Sequence, residues 1–255
     1  MEARLMDSMG SDAAIVQAAR VSYGDGTKSV SDDRALIRYL MRHKHTTPFE
    51  MVEFKFRIRA PIFVARQWLR HRTASVNEIS ARYSIIQNDF FLPEELRKQS
   101  TNRGQGGEEP LGEASANLLL KQKASCDLAF HTYEELLTKG TSRELARTHL
   151  PQSTFTEFYW KIDLHNLLHF LKLRIDDHAQ KEIRDLAVKV YELIKPIVPV
   201  TCEAFEDFVL GSVTLSRLEI EALRGNSLVR APRAIPGKGE NAEFEEKIQT
   251  LFSST

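Results

Sequence analysis

Between Lys55 and Arg82 the chain holds one lysine and six arginines (57, 59, 66, 70, 72 and 82), with Glu78 the only acid. The whole chain is neutral, with 35 basic and 35 acidic residues, so this is a local concentration of charge. A charge cluster is most often a solvated face. Two features point elsewhere. Nearly all the basic residues are arginine, whose planar fork matches phosphate and carboxylate. Gln67, Arg70 and His71 also stand at i, i+3 and i+4, so a helix would turn all three toward one ligand. Arg57 and Arg59 alternate with apolar residues and are read as the outer face of a strand.

The run Arg70-His71-Arg72-Thr73-Ala74-Ser75-Val76-Asn77-Glu78-Ile79-Ser80-Ala81-Arg82-Tyr83 resembles the signature of the flavin-dependent thymidylate synthases (ThyX). Its core is Arg-His-Arg, seven residues, then Ser. A bare match would be weak, but Asn77, Glu78 and Arg82 extend it. Further segments resemble family motifs in family order: His45-Thr46-Thr47-Pro48-Phe49-Glu50, Ala60-Pro61-Ile62-Phe63-Val64-Ala65-Arg66-Gln67-Trp68, Leu145-Ala146-Arg147, Leu171-Lys172-Leu173-Arg174 and His178-Ala179-Gln180. The resemblance runs from about residue 12 to about 210.

The resemblance implies an α+β, ThyX-like fold, an antiparallel sheet packed with several long helices, assembled as a homotetramer with active sites shared between subunits. It implies conversion of dUMP to dTMP, with FAD as cofactor and NADPH and 5,10-methylenetetrahydrofolate as co-substrates. The family binds FAD without a Rossmann motif, and this chain has neither Gly-x-Gly-x-x-Gly nor a P-loop. By similarity, FAD contacts fall to His45, Thr47, Arg70, His71, Arg72, Glu78, Asp163, Leu164, His165 and His169. Contacts to dUMP fall to Gln67, Trp68, Leu69 and Arg70, and to Glu78, Ile79, Ser80, Ala81 and Arg82 from a neighbouring subunit. Arg82 and Arg147 would neutralise the nucleotide phosphate, and Arg174 would face the pyrimidine. Arg174 is the candidate catalytic residue. Making uracil C5 nucleophilic pushes negative charge onto N3 and the adjacent carbonyl oxygens, and a fixed guanidinium stabilises it there.

The chain departs from the family at Asp163 and His165, where members carry Asn and Arg. An acid repels FAD phosphates, so Asp163 would use its backbone or meet another part of the cofactor. Ser80 could be a nucleophile, but that needs an adjacent base, and a hydrogen bond to the dUMP phosphate is the reading adopted. His165 and His169 stand i, i+4, yet Asn166 occupies the place of the acid in His-Glu-x-x-His, so no metal is expected. Cys126 and Cys202 match no ligand spacing, sit in no Pro-Cys setting with basic neighbours, and are read as structural. Trp68 and Trp160 could stack on a flavin, but their spacing favours core packing.

The elements that must position these residues follow from periodicity. Helices are expected over Asp12–Arg20, Asp32–His43 with Ser31 as cap, Pro61 to about Arg72, Glu113–Lys139 ended by Gly140, a short stretch after Ser142, Leu164–Ile175 and Gln180–Ile197. Val52–Arg59 alternates strictly and Ser153–Asp163 is rich in Thr, Phe, Tyr and Trp, so both are expected strands. Arg97–Gly112 reads as a polar, Gly-rich loop. Residues 1–211 form the expected catalytic domain. Residues 212–255 form a C-terminal extension of unassigned role, with a helix near Leu218–Leu223 and an amphipathic segment at Phe244, Ile248 and Leu251. That segment would bind a partner or cover a subunit surface.

The competing function is a non-catalytic RNA- or nucleotide-binding module using the arginine cluster. Zero net charge and the lack of an RNA-recognition aromatic pattern weigh against it, so small molecules rather than nucleic acid are the expected partners. Met1-Glu2-Ala3-Arg4 lacks the apolar core of a signal peptide. No run approaches the roughly 20 apolar residues of a membrane span. The expected location is the cytoplasm.

Overall fold

The computed structural model describes residues 1–21, 33–99, 109–224 and 238–252. The elements in chain order are β1 (Glu2–Met9), α1 (Asp12–Val21), α2 (Asp33–Arg42), α3 (Thr47–Glu50), β2 (Glu53–Pro61), α4 (Ile62–Trp68), β3 (Ser75–Glu78) and α5 (Ala114–Thr138). They continue with α6 (Arg143–Ala146), β4 (Phe155–Asp163), α7 (Leu164–Ile175), α8 (Lys181–Ile194), α9 (Pro199–Phe205), α10 (Arg217–Arg224) and α11 (Lys238–Phe252). The chain divides into two compact units, Met1–Phe205 and Glu206–Thr255.

In the first unit the four strands form one antiparallel sheet, in the order β1-β2-β4-β3. The register sets Phe54 opposite Ile162, Phe56 opposite Trp160, Ile58 opposite Phe158 and Ala60 opposite Thr156. All eight are buried, because side chains two apart share a face. The helices cover that face with Val64 and Trp68 of α4, Leu167, Phe170 and Leu171 of α7, and Ile183, Leu186 and Val190 of α8. The other face is polar: Arg57 pairs with Glu157 at 2.8 Å, Lys161 with Glu53 at 2.9 Å, and Arg59 with Asp89. Arg57 and Arg59 thus lie on the outer face of a strand, as their alternation implies.

Trp68 and Trp160 are wholly buried, the packing role expected of them. Cys126 and Cys202 are buried free thiols. Pro61 ends β2 and stands at the N-cap of α4. Its ring supplies no N–H, and its φ of −65° leads directly into the helix. Gly140, at φ +83°, ends α5 in the left-handed conformation that costs a glycine little. Ser142 stands at the N-cap of α6 but makes no side-chain capping bond.

Two expectations change, and one group lies outside the described residues. The helix after Pro61 ends at Trp68, not Arg72. Two strands, β1 and β3, join the sheet unannounced by the sequence: they are its edges, and their side chains are half-buried or exposed, so neither alternates cleanly. Ser31, Asp32 and the middle of the Gly-rich loop lie outside the described residues.

In the second unit, Ala222 and Phe244 form a small core with Leu218, Leu223 and Ile248. Ser216 and Glu219 make a capping box at α10: Glu219 N–H donates to Ser216 Oγ at 3.3 Å, and Ser216 N–H donates to the Glu219 carboxylate. Lys247 closes it with a 2.7 Å ion pair to Glu219. Phe244 and Ile248, read from the sequence as a surface for a partner or subunit, pack instead into the core of this unit, whereas Leu251 is 45% exposed.

Phe158 lies at the centre of the sheet, 1% exposed. Phe158→Ala is expected to lower the unfolding free energy by about 3–5 kcal/mol, read from chemical denaturation. A loss below about 1 kcal/mol would contradict the burial described.

Candidate active site

The first cavity opens where α4 ends. After Trp68 the chain turns, held by Leu69 N–H donating to Ala65 O at 2.9 Å and His71 N–H to Trp68 O at 3.1 Å. Arg70 and His71 are therefore not helical, and the common helical face expected for Gln67, Arg70 and His71 does not form. Aromatic packing positions them instead. The Trp68 ring centroid lies 5.1 Å from that of Trp160 and 4.3 Å from that of Phe170. Phe170 in turn meets the His71 ring edge-on at 4.9 Å. Phe170 and Arg174 are four residues apart on α7, so the packing that seats one also places the other.

Arg174 Nε donates to His71 Nε2 at 3.1 Å, and its Nη2 reaches Gln67 O at 3.4 Å. A guanidinium can only donate, so His71 Nε2 must accept, and the neutral ring carries its proton on Nδ1. Burial, then Arg174, then His169 push the His71 pKa down to about 4. Burial and the nearby Arg70 also act against the Arg174 charge, yet a guanidinium remains protonated. Among the described residues neither Arg70 nor Arg72 has an ion-pair partner. The cavity, about 380 Å³, is lined by Arg70, His71, Arg72, Asn166, His169 and Arg174 among others, and no lining residue is acidic. Unopposed positive charge in a half-buried pocket suits an anionic ligand. Sequence reasoning missed Asn166, although it stands at i, i+3 from His169 and shares its helical face.

A second cavity, of about 400 Å³, gathers Glu78, Ile79, Ala81 and Arg147 with Thr156. Thr156 Oγ1 donates to Glu78 Oε1. Ser80 Oγ accepts from Arg82 N–H at 3.3 Å, and Arg143 Nη1 donates to Tyr83 O at 2.7 Å. Arg82 pairs with Glu144. The 78–82 segment is thus tied to α6, whose end carries Arg147. The two cavities share no lining residue. Ile162 lines one and Thr156 the other, six residues apart on β4, or about 20 Å at strand rise.

Gln67, Ser80, Arg82 and the remaining candidates line neither cavity. His45 is exposed in the turn before α3, its ring 5.8 Å from that of Tyr39, and Thr47 opens α3. Asp163 caps α7 with both oxygens, accepting Asn166 N–H at 2.9 Å and Asn166 Nδ2 at 2.7 Å. The Leu164 side chain is wholly buried, its N–H donating to Val52 O at 2.8 Å. His165 is half-buried on the first turn of α7. Trp68 and Leu69 contribute the turn itself.

The His71 ring gives a pH test. Its folded pKa lies below the ordinary 6.5, so the neutral ring adds stability above about pH 6.5, and that contribution is lost as pH falls toward 4. NMR of the ligand-free protein should show an Nδ1–H tautomer with no His71 titration between pH 8 and 5; a midpoint near 6.5 would contradict the geometry.

Three comparisons bear on this arrangement. Residues 4–200 match the family model "Thymidylate synthase complementing protein". The chain is 58% identical over 246 residues to a flavin-dependent thymidylate synthase of Dictyostelium discoideum, covering 96% of this chain and 80% of that protein. It is 57% identical over 222 residues to one from Thermus thermophilus, covering 87% and 82%. The fold resembles the crystal structure of a UMP/dUMP methylase, PolB of Streptomyces cacaoi, bound with 5-Br dUMP, at TM-score 0.74 and 37% identity, over 82% of this chain and 95% of that one. The chain belongs to the flavin-dependent thymidylate synthases, a family of methyltransferases.

Proposed function

We propose that this protein converts dUMP to dTMP, with Arg70, His71 and Arg72 holding FAD phosphates and Arg174 facing the uracil ring. The observation that carries this is the acid-free cavity in which Arg70 and Arg72 stand unpaired beside Arg174. Two free guanidinium groups and the His71 Nδ1–H fit a pyrophosphate, since all three donate. Asn166 and His169 extend the wall on α7. Asp163, turned into a helix cap, brings no free carboxylate toward those phosphates. When bound, FAD reduced by NADPH supplies the hydride, and 5,10-methylenetetrahydrofolate supplies the carbon. The residues of the chain bind, orient and stabilise charge. Arg174, held between His71 and the Gln67 carbonyl, waits where negative charge grows on N3 and the neighbouring uracil oxygens.

The nucleotide residues fall into two groups, Gln67, Arg70 and Arg174 in one place, and Glu78, Ile79, Ser80, Ala81, Arg82 and Arg147 in another. Ile162 in one cavity wall and Thr156 in the other stand about 20 Å apart along β4. In this reading a complete site takes both groups from different copies of the chain, in a homotetramer, as the family resemblance implies. The segment around the second group carries exposed apolar side chains, Val76, Ile79, Tyr83 and Ile85, as a surface meant to be covered would. In this reading residues 1–211 form the catalytic domain and 212–255 an extension. Among the described residues no helix is long and apolar enough to cross a membrane, and the cytoplasm is the location we assign.

The decisive experiment is dUMP-dependent oxidation of reduced flavin with 5,10-methylenetetrahydrofolate, watching for dTMP. Purified protein should be yellow, and NADPH should bleach it. Arg174→Ala should lower turnover about 10²–10³-fold. Ser80→Ala should weaken dUMP binding yet keep measurable turnover. Colourless protein that binds RNA and no FAD would overturn the proposal, and loss of all chemistry in Ser80→Ala with dUMP still bound would make Ser80 the nucleophile.

A further inference from the structure

Beyond the two cavities, a line of polar contacts runs from the end of α4 into α8. Gln67 Nε2 donates to Gln180 Oε1 at 2.6 Å, and Gln180 Nε2 donates to Glu182 Oε2 at 2.8 Å. Arg97 Nη2 closes the line on Glu182 Oε1 at 2.6 Å. Glu182 is 5% exposed, on the first turn of α8. At the other end the Gln67 carbonyl accepts from Arg174.

We propose that Glu182 and Gln180 are positioning residues that fix the Gln67 amide, and with it the dUMP side of the site. An amide can present either its oxygen or its nitrogen to a neighbour, and the two orientations differ little in shape. Here the choice is removed. An ionised carboxylate only accepts, so the Gln180 NH2 must face Glu182. Gln180 Oε1 then faces Gln67, and the Gln67 NH2 must face Gln180. What remains for a ligand is Gln67 Oε1 and the second N–H of its amide. Glu182 can hold this role because it is buried and both its oxygens are engaged. A buried carboxylate deprived of one partner is strongly disfavoured, which keeps the geometry in place. The relay ties the α7–α8 junction to the last turn of α4, where the Gln67 carbonyl meets Arg174.

This inference rests on the reading of Gln67 and Arg174 as dUMP contacts. It is tested by calorimetric titration of dUMP into the flavin-loaded full chain, with melting temperature recorded alongside. Gln180→Leu leaves the Arg97–Glu182 pair intact and should raise the dUMP Kd about tenfold, the scale of one lost hydrogen bond. Glu182→Gln, which frees the amide to flip, should do the same. Gln180→Glu sets two carboxylates together and should be at least as damaging. The double variant Gln180→Glu with Glu182→Gln restores an acceptor opposite Gln67 and should return Kd to within about twofold of wild type. In a Gln67→Ala background, Gln180→Leu should have no further effect on Kd, whereas a merely structural role would still show. Unchanged Kd in Gln180→Leu, no rescue in the double variant, or a full effect in the Gln67→Ala background overturns the relay. Wild-type protein that binds no dUMP overturns instead the function the relay serves.

Discussion

The packing of Trp68 against Phe170 and Trp160 is the contact on which the site depends. It joins three elements that are remote in sequence: the end of α4, the middle of β4 and the second half of α7. Each ring is fully buried, so together they hide a large apolar area, and offset or edge-to-face rings add specific geometry. His71 rests its edge on Phe170, and Arg174 follows Phe170 by one helical turn. The polar chemistry of the first cavity is therefore hung on an apolar frame. Charged side chains on long flexible stems would otherwise lose much of their precision to rotamer entropy.

Electrostatics complete what packing begins. Arg174, Arg70 and Arg72 line one cavity, and burial, with Arg174 and His169 beside it, keeps His71 neutral. The cluster is unfavourable by itself, and an anion would relieve it. The first cavity differs in this way from the outer face of the sheet, where Arg57, Arg59 and Lys161 are matched one for one by Glu157, Asp89 and Glu53. Both regions are rich in arginine, and what separates them is the presence of carboxylates.

Asp163 shows how a change of residue type can be absorbed. A free carboxylate would repel the phosphates that the family resemblance implies near this position, yet here the Asp163 side chain turns back on α7 and takes the N–H groups of Asn166. An N-cap is a favoured place for Asp because free N–H groups and the helix dipole both favour an anion. The carboxylate is satisfied locally.

Local spacing was enough for the family, for the two central strands and for most helices. The alternation of Phe54, Phe56 and Ile58, the Arg-His-Arg signature and the face of α7 are short-range patterns, and short-range patterns survive in a linear reading. Periodicity did not reveal where α4 stops, because Leu69-Arg70-His71-Arg72 holds no Gly or Pro to end the helix, yet the backbone turns after Trp68. Nor did it reveal β1 and β3, edge strands with little buried surface. The placing of the candidate nucleotide residues in two separate regions was likewise invisible to periodicity and emerged from the sheet. Gln180 and Glu182 stand more than a hundred positions from Gln67, and only the packing of α8 beside α4 brings them within hydrogen-bond reach. Residue types and near neighbours thus specify which chemistry is possible. Which side chains meet, and which partners they find, is settled by long-range packing that no local pattern encodes.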